Sequence, residues 1–402
     1  MKLLFIVHVF FPNIGGSSRI YYEICKRLSP DEVYVLTQKR PAGCKEETMG
    51  WKEFDAKQKF KIYRIGRLRS RITGSGKAPN MLVSLCRFVF YDLPIDIYVM
   101  LTASYIIVKE RIEVVCLENP DYLGWVSLLV KYVFGRKTVF YLFGEELTAS
   151  SGSRFFERPR FFYLSRADGL IAISEFTKSV LDARGLGHKT TLIYPGIDAN
   201  PVADEAVKED IISKYGLAGK KILLSIGRFE RHKGIDNVIR ALSLVKEKIP
   251  NIVYLIGGEG PEEANLRKLT EDLKMGDIVK FLGQVSGEEM ASCYGLCDIF
   301  ILANRQLKDG TVDGFGMVFI EAGSMGKPVI GGRAGGVPEA IIDKETGILV
   351  DGEDVNDIER AVLRLFGDPE FAGMLGDNGK KRAAGFGWNE VVEKFKKVCR
   401  AL

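Results

Sequence analysis

The chain has 402 residues, 46% hydrophobic and 27% charged, and at roughly 150 residues per domain that implies two or three globular domains. This balance excludes intrinsic disorder, collagen-like repeats and a small disulfide-stapled scaffold. Charge is uneven: residues 1–198 hold 29 Lys and Arg against 20 Asp and Glu, and residues 199–402 hold 28 against 32, which together give the net +5.

In chain order, the start at Met1-Lys2 and the apolar run to Phe11 superficially resembles a signal peptide. Pro12-Asn13 and Gly15-Gly16 follow it without a small-x-small cleavage site, so a buried first strand is expected. Further β-rich runs are predicted at 33–36, 61–65, 113–117, 138–142, 169–172 and 191–194. A second series is predicted at 221–226, 252–256, 278–281, 299–302, 328–331 and 347–350. Between them the spacing is helical, as over 234–247, where Ile235, Val238, Ile239, Leu242 and Val245 share one face. Short apolar strands alternating with helices imply parallel sheets covered on both faces. Two such series imply two doubly wound domains, residues 1–198 and 199–385, facing across a cleft at their strand ends. The boundary is expected at Tyr194-Pro195-Gly196-Ile197-Asp198, and the last segment, 386–402, reads as a helix packing back across it.

The longest apolar stretch, 97–108, is broken by Thr102 and Ser104 and is shorter than the ~20 residues a bilayer requires. Between Lys57 and Lys77 stand eight basic residues and no acid. Such a cluster suits an anionic membrane surface or a polyanionic glycan, and a solvated basic loop accounts for it equally well. Nucleic acid is not expected, because no recognised binding motif accompanies the cluster. Seven scattered cysteines argue for reduced thiols in the cytoplasm. Cys293 and Cys297 lie one helical turn apart without a second Cys or His pair nearby, so core thiols are expected rather than zinc ligands.

Three strand ends carry chemistry. Gly15-Gly16 precedes a helix expected to begin near Arg19, where backbone amides and the helix dipole suit an anion. No full G-x-G-x-x-G is present, so a nicotinamide-dinucleotide site is not supported. The strand 221–226 runs into Gly227-Arg228-Phe229-Glu230-Arg231-His232-Lys233-Gly234, where the fork of Arg228 and the point charge of Lys233 suit a diphosphate. Asp313 and Glu321 stand eight positions apart around a turn and helix start. There Gly314 and Gly316 free amides for phosphate or sugar oxygens, and a carboxylate accepts bonds from sugar hydroxyls. Ordinary turns and a solvated acidic face are the plain alternatives for each of these features taken alone.

Taken together, the chain resembles a retaining GT-B glycosyltransferase of the family 4, group 1 type over nearly its whole length. The resemblance is carried by Gly15-Gly16, IAISEFTKSVL from Ile171, YPGID, GRFERHKG, IGGEGP, FLGQV, and above all DGFGMVFIEAGSMGKPVI followed by GGVPEAI. It implies a nucleotide-sugar donor and a glycan, lipid or small-molecule acceptor. Arg228 and Lys233 would grip the donor diphosphate, Glu321 the ribose, and the amides of Gly314, Phe315, Gly316, Met317 and Val318 the sugar and phosphates. Gly16 would approach the diphosphate from the other domain, and Glu259, Gly260 and Val285 would line the base pocket. No cofactor is implied and no metal is expected, in keeping with the lack of an aspartate-x-aspartate cluster. The cysteines place the chain in the cytoplasm, and Lys57–Lys77 with the apolar-rich Met81–Val108 after it suits peripheral contact at the inner face of the membrane, core helices over Met81–Val108 being the plain alternative. Two positions depart from the family pattern. Asp313 replaces the usual Glu, and Phe143 stands where many relatives have a histidine against the donor sugar; Phe neither donates nor accepts a hydrogen bond. Glu145 is the candidate substitute contact. On these departures two other readings stay open, a catalytically impaired nucleotide- or glycan-binding protein and a disaccharide phosphorylase.

Overall fold

The computed structural model describes residues 1–13, 15–40, 46–68, 88–149, 154–198 and 201–402. Among them the β-rich runs pair into two wholly parallel sheets. The first contains β1 (Leu3–Ile6), β2 (Val33–Gln38), β3 (Lys61–Ile65), β4 (Val114–Leu117), β5 (Lys137–Leu142), β6 (Gly169–Ala172) and β7 (Thr190–Leu192), in the order β3-β2-β1-β4-β5-β6-β7. The second contains β8 (Lys221–Ile226), β9 (Ile252–Gly257), β10 (Val279–Gly283), β11 (Ile299–Leu302), β12 (Val329–Gly332) and β13 (Ile348–Val350), in the order β10-β9-β8-β11-β12-β13. Each sheet starts at its middle, runs to one edge and then returns past its first strand to the other. This doubly wound order puts ligand sites at the carboxyl ends of the strands beside the first strand. Every expected strand position is occupied, and the strand ends differ by a few residues.

The chain divides into two compact units. Unit 1 comprises Met1–Ile173, Thr177–Tyr194 and Trp388–Leu402, and unit 2 comprises Ser174–Phe176 and Pro195–Gly387. The C-terminal helix Trp388–Ala401 is therefore part of unit 1. Its Phe395 ring stacks on Phe5 of β1 with centroids 5.5 Å apart, and the Arg27 guanidinium lies over Trp388. In unit 2 the helix Ile235–Lys248 buries Ile235, Val238, Ile239, Leu242 and Val245 against the sheet. Each fully buried side chain of this size contributes about 1.5–3 kcal/mol of transfer free energy.

Two expectations are corrected. The first helix begins at Gly16 rather than near Arg19, because Gly15 is extended and the Ser18 hydroxyl donates back to the Gly15 carbonyl, closing the first turn. The basic stretch is not uniformly a solvated surface. Arg64 is buried with its guanidinium on both Asp55 oxygens, and Lys61 pairs with Glu110 at 2.9 Å. Residues 69–77 of that stretch, like residues 81–87 after it, lie outside the described residues.

Candidate functional site

In unit 2, the segments after two strands of the second sheet, β8 and β11, deliver polar side chains to one carboxyl edge. After β8 the chain forms a short 3-10 turn, Arg231–Lys233, and Lys233 Nζ donates to Asp313 Oδ1 at 2.5 Å. After β11, buried Asn304 donates through Nδ2 to Asp313 Oδ2. His232, also buried, brings Nε2 to 3.6 Å from Asp313 Oδ1, while its Nδ1 is 3.4 Å from Glu230. Asp313 is thus the hub of a mostly buried cluster. Burial alone would raise its pKa, but the Lys233 ammonium and His232 outweigh burial and hold the carboxyl well below the usual carboxylate range. The result is a fixed ammonium whose position is set by an ionised acid.

Glu321 sits in the helix Met317–Ser324 and is 6% exposed, so the alternative of a solvated acidic face does not hold for it. Tyr294 donates its hydroxyl to Glu321 Oε2 at 3.0 Å and fixes the direction of the carboxylate. The preceding turn depends on Gly316. Its φ is 95°, and a Cβ there would lie 2.8 Å from the Phe319 ring. Gly314, Phe315, Met317 and Val318 complete this turn and helix start, with the Phe315 ring buried. Behind the turn, Gly336 donates its amide to the Asp313 carbonyl at 2.9 Å, tying the second glycine-rich segment to the first.

The other residues singled out in unit 2 are arranged differently. Arg228 is 72% exposed at its side chain and pairs with Glu230 at 3.0 Å, so the structure does not bring it into the Asp313 cluster. The Glu259 carbonyl accepts from the Phe229 amide at 2.9 Å, which joins the loops after β8 and β9, and Gly260 begins the turn into the helix Glu263–Asp272. Val285 packs over Gly257 and lines a pocket of about 370 Å³ with Tyr215, Leu282 and Gln284; Asp313, Glu321 and Lys233 are not in that pocket's wall. Cys293 and Cys297 are buried thiols, each pushed up to about 12 by burial. Among the described residues no cluster of His, Cys, Asp and Glu has a metal-holding arrangement.

Unit 1 has its own polar edge. β1, β4 and β5 are parallel neighbours, so the residues after them, His8, Glu118 and Phe143, emerge side by side. Glu118 is buried, receives the His8 amide at 3.0 Å and faces His8 Nδ1 at 2.6 Å. Burial opposes its ionisation, but the His8 charge, the His8 bonds and the Ser17 hydroxyl hold it below its ordinary value. Gly15 ends the loop after β1 and Gly16 opens the first helix. A Cβ on Gly16 would meet nothing within 4 Å, so the space above that backbone is open. Phe143 stacks on Tyr141 at 5.3 Å and meets Tyr21 edge-on at 5.6 Å. Glu145 is exposed, whereas Glu146 accepts the Phe143 amide and is pushed up to about 8, chiefly by burial.

Asn304, His232, Tyr294, His8, Glu118 and Glu146 went unrecognised in the sequence. Four of them directly follow or sit near strand ends, a signal that parallel topology makes readable. Tyr294 carried no such signal, because its contact with Glu321 joins two helices.

Two family models match the chain. The one described as Glycosyl transferases group 1 covers residues 207–382, and the one described as Glycosyltransferase Family 4 covers residues 14–200. A GDP-mannose-dependent alpha-(1-6)-phosphatidylinositol monomannoside mannosyltransferase of Mycolicibacterium smegmatis is 33% identical over 218 residues, 53% of this chain and 57% of its own. The match spans 57 to 62% of the length of this protein and its Mycobacterium tuberculosis counterparts. An uncharacterized glycosyltransferase of Methanocaldococcus jannaschii is 24% identical over 418 residues, covering 100% of this chain and 99% of its own. The crystal structure of Anabaena HepE with UDP and glucose matches at a TM-score of 0.79 with 20% identity, covering 100% of each chain.

Proposed function

The chain belongs to the group 1, family 4 glycosyltransferases of GT-B fold, and on that premise we propose that it moves a hexosyl group from a nucleotide-sugar donor to an acceptor hydroxyl with retention of configuration. The acceptor class is a glycan, a lipid or a small molecule, and a membrane-borne glycolipid is the first to test because the mycobacterial relative is a phosphatidylinositol monomannoside mannosyltransferase. For the same reason GDP-mannose is the first donor to test, beside UDP-sugars.

The observation that carries this reading is the Lys233–Asp313–Asn304 cluster beside the Gly316 turn. In the proposed reaction the bond from the sugar's anomeric carbon to the diphosphate oxygen breaks, and negative charge grows on the diphosphate. Lys233, pre-set by Asp313, would meet that charge without reorganisation, and Arg228 would turn to it from its pairing with Glu230. Amides from Gly314 to Val318 would contact the sugar and phosphates, and Glu321, aimed by Tyr294, would take ribose hydroxyls. The acceptor oxygen bonds to the anomeric carbon on the face the diphosphate leaves, and the acceptor proton passes to the departing diphosphate oxygen. With protein cations in this role, transfer is expected to persist in excess chelator.

Thermal unfolding against a panel of nucleotide sugars and free nucleoside diphosphates tests the reading. A ligand at a hundred times its dissociation constant stabilises by about 2.7 kcal/mol, so one base series should raise the melting temperature. No shift with any nucleotide, together with phosphate-dependent glycoside cleavage, would replace this reading with a phosphorylase. Nucleotide binding without product release would replace it with a catalytically impaired binding protein, with Phe143 the first position to restore to His.

A further inference from the structure

The helix Leu93–Glu110 of unit 1 is apolar on two faces. One face, with Val99, Ala103, Ile106 and Ile107, is sunk in the core beside Ile65 and Leu68. The other runs from Phe90, in the short π-helical segment Phe88–Asp92 before the helix, through Leu93, Ile97, Leu101, Tyr105 and Val108 at steps of three and four residues, and these six are 38 to 75% exposed. A helix apolar all round is ordinarily covered on every side, and scattered exposed apolar residues do not form a continuous stripe. No helix among the described residues is long and apolar enough to cross a membrane. A helix of this kind is covered by lying on an apolar layer rather than passing through one.

Charge says which layer. At the carboxyl end of the stripe Lys109 and Arg111 are exposed, and Lys109 Nζ lies over the Tyr105 ring, donating to its hydroxyl at 2.6 Å. The end of the helix adjoins the edge strand β3, where Lys61 Nζ reaches Glu110 at 2.9 Å and Lys57 and Lys59 stand exposed just before it. The acids at this end are already engaged: Glu110 by Lys61 and Tyr63, and Glu113 by the Lys2 amide. An apolar stripe with cations at its rim and tyrosines within it has the chemistry of an anionic lipid interface, where tyrosine rings enter the acyl boundary and their hydroxyls stay wet.

We propose that this helix face is a membrane-docking surface: the helix lies in the plane of an anionic bilayer, its stripe at the acyl boundary and the end that carries Lys109 and Arg111, with Lys59 beside it, against lipid phosphates. A second copy of the chain is the competing occupant, and the oligomeric state decides against it or for it in the test below. The proposal deepens the transferase reading, on which its consequence for a lipid-borne acceptor rests, while the docking face itself rests on unit 1 alone.

The test is flotation of the full chain with vesicles of phosphatidylcholine alone and of phosphatidylcholine with an equal part of phosphatidylglycerol. The wild-type chain should float with the anionic vesicles and less so as salt is added. The double substitution Leu101→Glu with Tyr105→Glu should lower the partition coefficient on the order of tenfold or more, by placing two charges in the apolar stripe. Lys59→Glu with Lys109→Glu, which leaves the stripe intact, should weaken flotation on anionic vesicles. Both variants should keep the wild-type melting temperature and its nucleoside-diphosphate shift. Failure of the wild-type chain to float, or equal flotation of wild type and both variants, overturns the proposal. So does a concentration-dependent dimer that Leu101→Glu disperses, which would give the face to a second copy. Flotation without any nucleotide shift would leave the docking face standing and overturn the transferase reading instead.

Discussion

Lys233 and Glu321 carry different loads at the residue scale, and their substitutions should separate. Lys233→Ala removes the ammonium proposed to meet developing charge, so kcat is expected to fall about 10²- to 10³-fold with the donor KM changing less. Glu321→Ala removes a proposed ribose contact and leaves the Tyr294 hydroxyl without this acceptor, so it should raise the donor KM. Steady-state kinetics on the two variants checks the split; equal effects on both constants in both variants would sink the assignment of roles. Two half-buried acids give pH signatures of opposite sign. Asp313 has a depressed pKa in the folded chain, so its pairing stabilises above the ordinary carboxylate pKa and is lost as pH falls through the folded value. Glu146 has a raised pKa, from 4.5 to about 8, so the fold holds its proton more tightly than the unfolded chain does and loses stability as pH rises through that window. Melting temperature measured from pH 5 to pH 8 should therefore decline less in Glu146→Gln than in the wild-type chain. His8→Ala removes the imidazole that faces buried Glu118, leaving the residue 8 amide in place, and should cost roughly 1–3 kcal/mol in chemical denaturation.

The elements show why some of this was legible in the chain and some was not. The helix Ile235–Lys248 was readable because its five buried apolar residues repeat at helical spacing, and burial needs nothing but that stripe. The Gly316 turn was readable as a glycine pair before a helix. Its requirement for φ of 95° and for closeness to Phe319 is a matter of packing. Gly316→Ala should destabilise by about 1–3 kcal/mol and shift the helix start that carries Glu321, lowering donor affinity together with melting temperature. Unchanged melting would mean that the turn relaxes freely. The helix Leu93–Glu110 is the opposite case. Its apolar content was plain in the sequence, but only the fold separates the face against Ile65 and Leu68 from the face left exposed, since the composition of the two faces is alike. Likewise Arg64 read as one more surface cation, and its burial on Asp55 follows from β3 sitting beside the helix Trp51–Lys57.

Over the whole molecule, the last helix belongs to unit 1, although nearly two hundred residues of unit 2 precede it. Phe395→Ala would open a cavity under the Phe5 ring and is expected to cost about 3–5 kcal/mol, read as a lower denaturation midpoint. A midpoint unchanged by the substitution would mean that this helix adds little to the unit. The sequence by itself determined the parallel α/β class, the strand positions and the family motifs, and it marked Lys233, Asp313 and Glu321 as candidates, because periodicity and strand-end chemistry are local properties of the chain. It left undetermined which side chains meet across separate strands. Asn304 and His232 on Asp313, Tyr294 on Glu321 and Glu118 on His8 come from elements between 27 and 110 residues apart, apart from the nearer Asn304. Such contacts are decided by strand order and helix packing, and so by the tertiary structure, because no local pattern records which strand will lie beside which.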